Sequence, residues 1–260
     1  MENIETKKIY ETMLAAEREA TELILHAGKI MTQEKTGHRD LVTEYDKKVQ
    51  ELVVKRLRET VPDARFFCEE NTVQDDLHAQ HVFVIDPIDG TTNFIKGLHC
   101  SCISVAYLRG GVPTASAIYD PYHDELFSAI RGEGAWLNGK RIFAVETPLS
   151  ENITFFGTSP YYPDKTDESF RLARIAYDNS LDLRRSGAAA LDLCNVAAGR
   201  AGAYFEVLLG FWDYAAGMLI VEEAGGKCTA ADLGPLPLDG RKSSVIAGGR
   251  QAYEDFVKLI

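Results

Sequence analysis

The stretch HVFVIDPIDGTTNF, His81 to Phe94, decides how the rest of the chain is read. Val82, Phe83, Val84 and Ile85 form an unbroken apolar run, the pattern of a strand buried on both faces. At its end the polarity inverts. Asp86 and Asp89 stand three residues apart around Pro87 and Ile88, and Gly90, Thr91, Thr92 and Asn93 follow, residues that favour a turn opening into a helix N-terminus. Two carboxylates followed by free backbone N–H groups supply both halves of a phosphate-chemistry site, cation ligands and an anion cradle.

Working outward, Arg65 to Cys68 reads as a short strand that also ends in acid, at Glu69 and Glu70. Ile9, Met13, Ala16, Ala20, Leu23, Ala27 and Ile30 recur at steps of three and four and predict a long amphipathic first helix. TQEKTGHRD then reads as a mobile loop. Thr43 and Asp46 fit a capping-box start to a second helix, which shows Tyr45, Val49, Leu52, Val53 and Leu57 on one face and ends at Val61 and Pro62.

On the C-terminal side, CISVAYL, TASAIYDP and ELFSAI predict antiparallel strands, with a hairpin turn at Asn138 and Gly139. NITFFG and Leu181 to Arg184 read as strands on either side of a helix from Glu168 to Tyr177. Ser186 and Gly187 precede an alanine-rich helix running to about Ala198, and Ala203 to Glu206 is a strand ending in another acid. WDYAAGMLIVEEAGG opens a helix at Trp212 and Asp213 that stops at Gly225; the strand SSVIAG and a helix from Gln251 follow. No repeat or linker interrupts the chain, which predicts one domain over 1–260, with lobes of about 1–145 and 146–260.

A net charge of -11 and no basic patch exclude a nucleic-acid or anionic-membrane surface as the expected partner. A phosphate substrate would then need bound metal to neutralise it. No apolar run approaches the roughly 20 residues of a membrane span. The 5 cysteines and the charged opening MENIETKKIYETML fit a reducing cytoplasm with buried, inert thiols. Cys100 and Cys102 are expected on one strand face, but no second Cys or His pair completes a zinc set.

Glu69, Asp86, Asp89, Glu206 and Asp213 each fall at a strand end or helix start. Singly, each reads as a solvated acid or a cap. Converging, two such charges at ~4 Å repel by ~4 kcal/mol at an effective dielectric of about 20, so the set demands cations among them. The donors are all oxygens, which selects Mg²⁺ or Mn²⁺ over zinc. Such an ion acidifies a coordinated water and makes it the expected nucleophile. A neighbouring carboxylate and the Thr91 hydroxyl would orient that water, and the N–H groups around Gly90 and Thr91 would bind phosphate oxygens.

DPIDGTTNF, WDYAAG at Trp212 to Gly217, the acids after FC at Glu69 and Glu70, DLVTEYD at Asp40 to Asp46, GEGAWLNGKRI and the SGAAALDL stretch together resemble the inositol monophosphatase family. The resemblance implies an α/β fold, an alternating αβαβα sandwich of the inositol monophosphatase/fructose-1,6-bisphosphatase type, usually dimeric. It implies a Mg²⁺-dependent, lithium-sensitive phosphomonoesterase acting on a small phosphorylated polyol or sugar, with inositol 1-phosphate foremost and about two or three ions per site. Glu69, Asp86 and the carbonyl of Ile88 would hold the first ion, and Asp86, Asp89 and Asp213 the second. Glu69 and Thr91 would activate water, and Gly90 and Thr91 would bind phosphate. Asp89, Gly187, Ala188, Ala189, Glu206 and Asp213 would contact the substrate, and Lys35 and Asp46 would border the metal site from a loop and a helix start. Ala188 stands where a hydroxyl residue is common, and VLLGF after Glu206 is apolar where animal members carry a His.

Fructose 1,6-bisphosphate, adenosine bisphosphates and NADP are the other substrates of that superfamily. A haloacid-dehalogenase-type phosphatase is disfavoured, because its two acids are spaced two apart near the start of the chain. A non-catalytic interaction protein retaining the fold is the reading from another class; its mark, a substituted metal ligand, is absent from the sequence. His99 is given no catalytic role, and Trp136, Trp212, Phe155 and Phe156 are expected to pack.

Overall fold

The computed structural model describes residues 2–37, 40–71 and 74–260. Helix α1 (Glu2–Leu25) leads into a hairpin, β1 (Thr32–Gly37) and β2 (Asp40–Thr43), and then α2 (Glu44–Thr60). Next come β3 (Arg65–Cys68), β4 (His81–Asp89) and the short α3 (Thr91–Lys96). A meander follows: β5 (Cys102–Arg109), β6 (Val112–Asp120), β7 (Glu125–Ile130), β8 (Gly134–Leu137) and β9 (Lys140–Arg141). The second half runs β10 (Ile153–Phe156), α4 (Thr166–Asn179), β11 (Asp182–Arg184), α5 (Ala189–Ala197), β12 (Ala203–Leu209), α6 (Phe211–Glu223), β13 (Lys227–Thr229), β14 (Ser243–Gly248) and α7 (Arg250–Val257).

Strands β3 to β9 form one seven-stranded sheet in sequence order, parallel only between β3 and β4, and a five-stranded sheet has the order β11-β10-β12-β14-β13. The burial of β4 explains its apolar run. Phe83 and Ile85 pack with Ile9, Met13, Val49 and Val53 of α1 and α2, while Val82 and Val84 pack on the opposite face with Leu193 of α5 and Leu219 of α6. Helices α5 and α6 fill the space between the sheets, where Val245 and Ala247 of β14 meet them. Phe205 and Ile246 turn outward onto Leu172 of α4 and Phe256 of α7. The layers alternate αβαβα, as the resemblance implied.

Four expectations about elements are corrected. Helix α1 ends at Leu25, short of Ile30, and buries Ile24 while Leu23 is only half-buried. TQEKTG is strand β1, paired antiparallel with β2 through Thr32↔Thr43 and Gln33↔Val42; its polar residues carry no alternation that sequence could show, and backbone pairing alone makes the ribbon. Of the stretch read as a loop, His38 and Arg39 lie outside the described residues. Strand β12 continues through Glu206 to Leu209, with a register shift between those two residues. Cys100 precedes β5, so it shares no strand face with Cys102. The hairpin at Asn138 and Gly139, with φ of 49° and 74°, forms as the dipeptide predicts. All five cysteines are free. Among the described residues no helix is long and apolar enough to cross a membrane.

Candidate functional site

Parallel pairing of Cys68 with Ile85 sets the two acidic strand ends side by side, and the N–H of Glu69 donates to the Ile85 carbonyl at 3.0 Å. Residues three apart on a regular strand face opposite sides. Strand β4 escapes that rule through a bulge. Asp86 pairs with Ser104 and Asp89 with Cys102, so three steps on β4 match two on β5, and both carboxylates point to the side covered by α5 and α6. Pro87, which lacks an N–H for the ladder, sits inside that bulge.

Asp213 reaches the same place from α6, which opens at Gly210 with Asp213 in its first turn. One oxygen from each of Asp86, Asp89 and Asp213 lies within 4.8 Å of the others. Backbone N–H groups hold each carboxylate. Ile88 donates to Asp86 Oδ1 at 3.1 Å, Ala190 to Asp89 Oδ2 at 2.7 Å, and Gly210 to Asp213 Oδ2 at 2.7 Å.

Thr91 begins α3, and its hydroxyl is 3.0 Å from the Ile88 carbonyl and 3.4 Å from Asp46 Oδ1. Asp46 is fixed in turn by the capping box of α2, in which Thr43 N–H and Oγ1–H both donate to Asp46 Oδ2. Asn93 ties the motif to the second half of the chain, donating to the carbonyls of Cys100 at 2.8 Å and Ser186 at 2.9 Å.

Burial, then the neighbouring charges of Glu69, Asp89 and Asp213, push the Asp86 carboxyl far above the usual range. Burial also raises Asp89, to about 7, against the opposing pull of the Ala190 N–H. Asp213 is driven well up by burial, then by Asp89 and Glu69. Glu206 is raised by burial although Ser159 N–H at 2.9 Å and Tyr204 O–H at 2.9 Å stabilise its charge. The Lys35 ammonium lies 2.8 Å from Glu69 Oε1 and also bonds Glu70. Burial acts to lower the Lys35 pKa, and the two glutamates outweigh it. Asp86, Asp89 and Asp213 thus form an all-oxygen donor set whose like charges are costly unless protonated or joined by a cation, and the set fits a hard divalent ion.

One cavity of about 730 Å³ is lined by Glu69, Asp86, Ile88, Asp89, Gly90, Thr91, Gly187, Ala188, Ala189, Glu206 and Asp213. The structure therefore brings every candidate from the sequence to a single opening. Lys35 lines it as well, from strand β1 where a loop was expected. Asp46 touches it through Thr91. Trp212, expected in core packing or at an interface, lines the cavity while its ring lies 5.9 Å from that of Phe67. His99 stacks on Tyr122 at 4.8 Å and is not among the lining residues.

Residues 5–260 match the model of the inositol monophosphatase family. The chain belongs to that family. "Nus factor SuhB" of Xylella fastidiosa is 38% identical over 218 residues, 82% of this chain and 78% of the relative. The crystal structure of the extragenic suppressor protein suhB from Bartonella henselae superposes with a TM-score of 0.89 at 31% identity, covering 96% of each chain. A structure described as IMPase/NADP phosphatase complexed with Mg²⁺ and phosphate superposes with a TM-score of 0.83 at 28% identity, covering 97% of this chain and 93% of the other.

Family motifs pointed to the carboxylates, but several groups of the cavity had gone unread. Asp192 lines it, is 1% exposed and has no hydrogen-bond partner at Oδ1 among the described residues. A lone acid inside the apolar helix ALDLCNVA was the available signal. Ser159, which holds Glu206, and Lys242 come from loops with no periodicity to mark them.

Proposed function

We propose that this chain hydrolyses the phosphate monoester of a small polyol or sugar, inositol 1-phosphate foremost, with Mg²⁺ as cofactor and Mn²⁺ as a substitute. The observation that carries the reading is the convergence of Asp86, Asp89 and Asp213, their oxygens within 4.8 Å, at the wall of a cavity of about 730 Å³. Glu69, Asp86 and the Ile88 carbonyl would hold one ion, and Asp86, Asp89 and Asp213 a second. When bound, such ions supply positive charge to the phosphate and acidify water.

The chain's own groups do the rest. The Thr91 hydroxyl, its proton directed at the Ile88 carbonyl and Asp46, offers its oxygen to orient the attacking water, and Glu69 accepts the proton. The N–H groups of Gly90 and Thr91 meet the phosphate oxygens. Gly187, Ala188 and Ala189 offer backbone at the entry to α5, and Glu206, braced by Ser159 and Tyr204, accepts a substrate hydroxyl. The water oxygen joins phosphorus, the ester P–O bond breaks, and the alcohol oxygen leaves with a proton.

Relatives named Nus factor SuhB favour a second reading, a binding role kept beside turnover. Asp86→Asn separates the two. Release of phosphate from inositol 1-phosphate with Mg²⁺ should fall at least ~1000-fold in that variant and vanish in EDTA, on the scale of lost charge stabilisation. Unchanged turnover in EDTA would overturn the phosphatase reading, whereas a partner retained by the inactive variant would establish the second.

A further inference from the structure

The turn that leads into α5 carries more anchoring than its own backbone supplies. Ser186 and Gly187 come before Ala189, the first residue of the helix, and Gly187 has a φ of +87°. From the carboxylate side, Asp89 Oδ2 accepts the Ala190 N–H at 2.7 Å, and Asn93 donates to the Ser186 carbonyl at 2.9 Å. A Cβ on Gly187 would stand 3.3 Å from both Asn93 Nδ2 and Arg185 Nη1, so the turn is closely packed. The Ser186 hydroxyl accepts the Ala188 N–H at 3.0 Å and lies 3.3 Å from the Ala188 carbonyl.

Asp192 is a further anchor, from beneath. Its N–H donates to the Ala188 carbonyl at 3.1 Å, which places it one helical turn on, and side chains on a helix tilt back towards the N-terminus. The carboxyl therefore lies under the turn, where it bonds the Ser186 hydroxyl. Burial, and after it the charges of Asp89 and Glu206, drive this carboxyl well above the usual range, while Ser186 and Arg185, which also lines the cavity, oppose them. Packing gives no reason for an acid here. Leu191 and Leu193 flank it in α5, it is 1% exposed, and among the described residues Oδ1 has no hydrogen-bond partner. An unmatched buried oxygen costs stability, and such a residue on the wall of the cavity calls for a role beyond packing.

We propose that Asp192 is a positioning residue for the polyol: acting through Ser186, it fixes the backbone of Gly187, Ala188 and Ala189 where the alcohol part of the substrate rests, and so sets affinity for that part rather than the rate of P–O cleavage. The inference rests on the phosphatase reading above and adds a determinant of specificity to it. A carboxyl kept neutral by burial can donate or accept, as an amide can, so Asn is able to stand in for it at the Ser186 hydroxyl. Leu is not.

The test measures kcat and KM, with Mg²⁺, on inositol 1-phosphate and on 4-nitrophenyl phosphate, whose alcohol carries no further hydroxyl, for the native protein, Asp192→Asn, Asp192→Leu, Ser186→Ala and the Asp192→Leu/Ser186→Ala double variant. In Asp192→Leu and Ser186→Ala the KM for inositol 1-phosphate should rise ~10-fold, the scale of one lost hydrogen bond, with a far smaller rise for 4-nitrophenyl phosphate and the loss carried by KM rather than kcat. The double variant should be no worse than either single one, because both changes break the same link. Asp192→Asn should restore most of the native KM. Asp192→Leu should melt no lower than the native protein, since an unmatched oxygen has gone; a lower Tm with equal losses on both esters would make Asp192 a structural residue and overturn the proposal. Native-like kinetics in Asp192→Leu, or an Asp192→Asn as impaired as the leucine variant, would overturn it as well. No turnover of either ester by the native protein would instead overturn the phosphatase reading itself.

Discussion

Gly90 shows how tightly the motif is built. Its φ is +86°, and a Cβ there would stand 2.8 Å from the Cys100 carbonyl oxygen and 3.2 Å from the Ala188 Cβ. Both faults act together in Gly90→Ala, with strain of about 1–3 kcal/mol from the left-handed backbone alone. Urea unfolding should show a loss of at least that size, and turnover should fall because Thr91 moves with the loop; an unshifted midpoint would refute this account. Residues of this kind were legible because DPIDGTTNF is contiguous. Arg185 and Lys242 were not, since a pocket assembled from distant loops leaves no local spacing.

At the level of elements, sequence periodicity found the buried helices and the meander, and it failed where pairing is made by backbone alone, as in β1 and β2. It also could not show the bulge in β4, which depends on the partner strand's register rather than on β4 itself. Helix α1 hides another feature of this sort. Glu17 is fully buried, and among the described residues neither carboxylate oxygen has a hydrogen-bond partner. Burial pushes its pKa well up. A folded-state pKa above the unfolded one means the cost is least in acid and grows as pH rises. Glu17→Met should therefore stabilise the protein by about 1–3 kcal/mol at about pH 8, with a smaller gain at about pH 5, the range for an unpartnered buried polar group. Thermal unfolding at the two pH values checks it, and a lower Tm in the variant would show that Glu17 has a stabilising partner.

Across the whole molecule, the layers bring acids from β3, β4 and α6 to one place, and the fold must hold them there. Burial raises Asp89 to about 7, and burial with neighbouring carboxylates raises Asp86 and Asp213 well above the ordinary aspartate value. The unfolded chain releases these protons near the ordinary aspartate value. Metal-free protein consequently loses up to ~1.4 kcal/mol per pH unit and per group as pH climbs from there through the folded pKa. Excess Mg²⁺ should raise Tm over EDTA by more at about pH 8 than at about pH 5. Equal increments at both would mean that the three aspartates do not bind the ion. The N–H groups of Ile88, Ala190 and Gly210 bear on how an ion would be gripped. Each takes up one oxygen of a cluster carboxylate. Three aspartates so fastened favour single-pronged attachment, too few contacts to complete an octahedral shell. The remaining vertices would fall to solvent and to the incoming ester, so the protein would serve as an incomplete cage that its own substrate finishes.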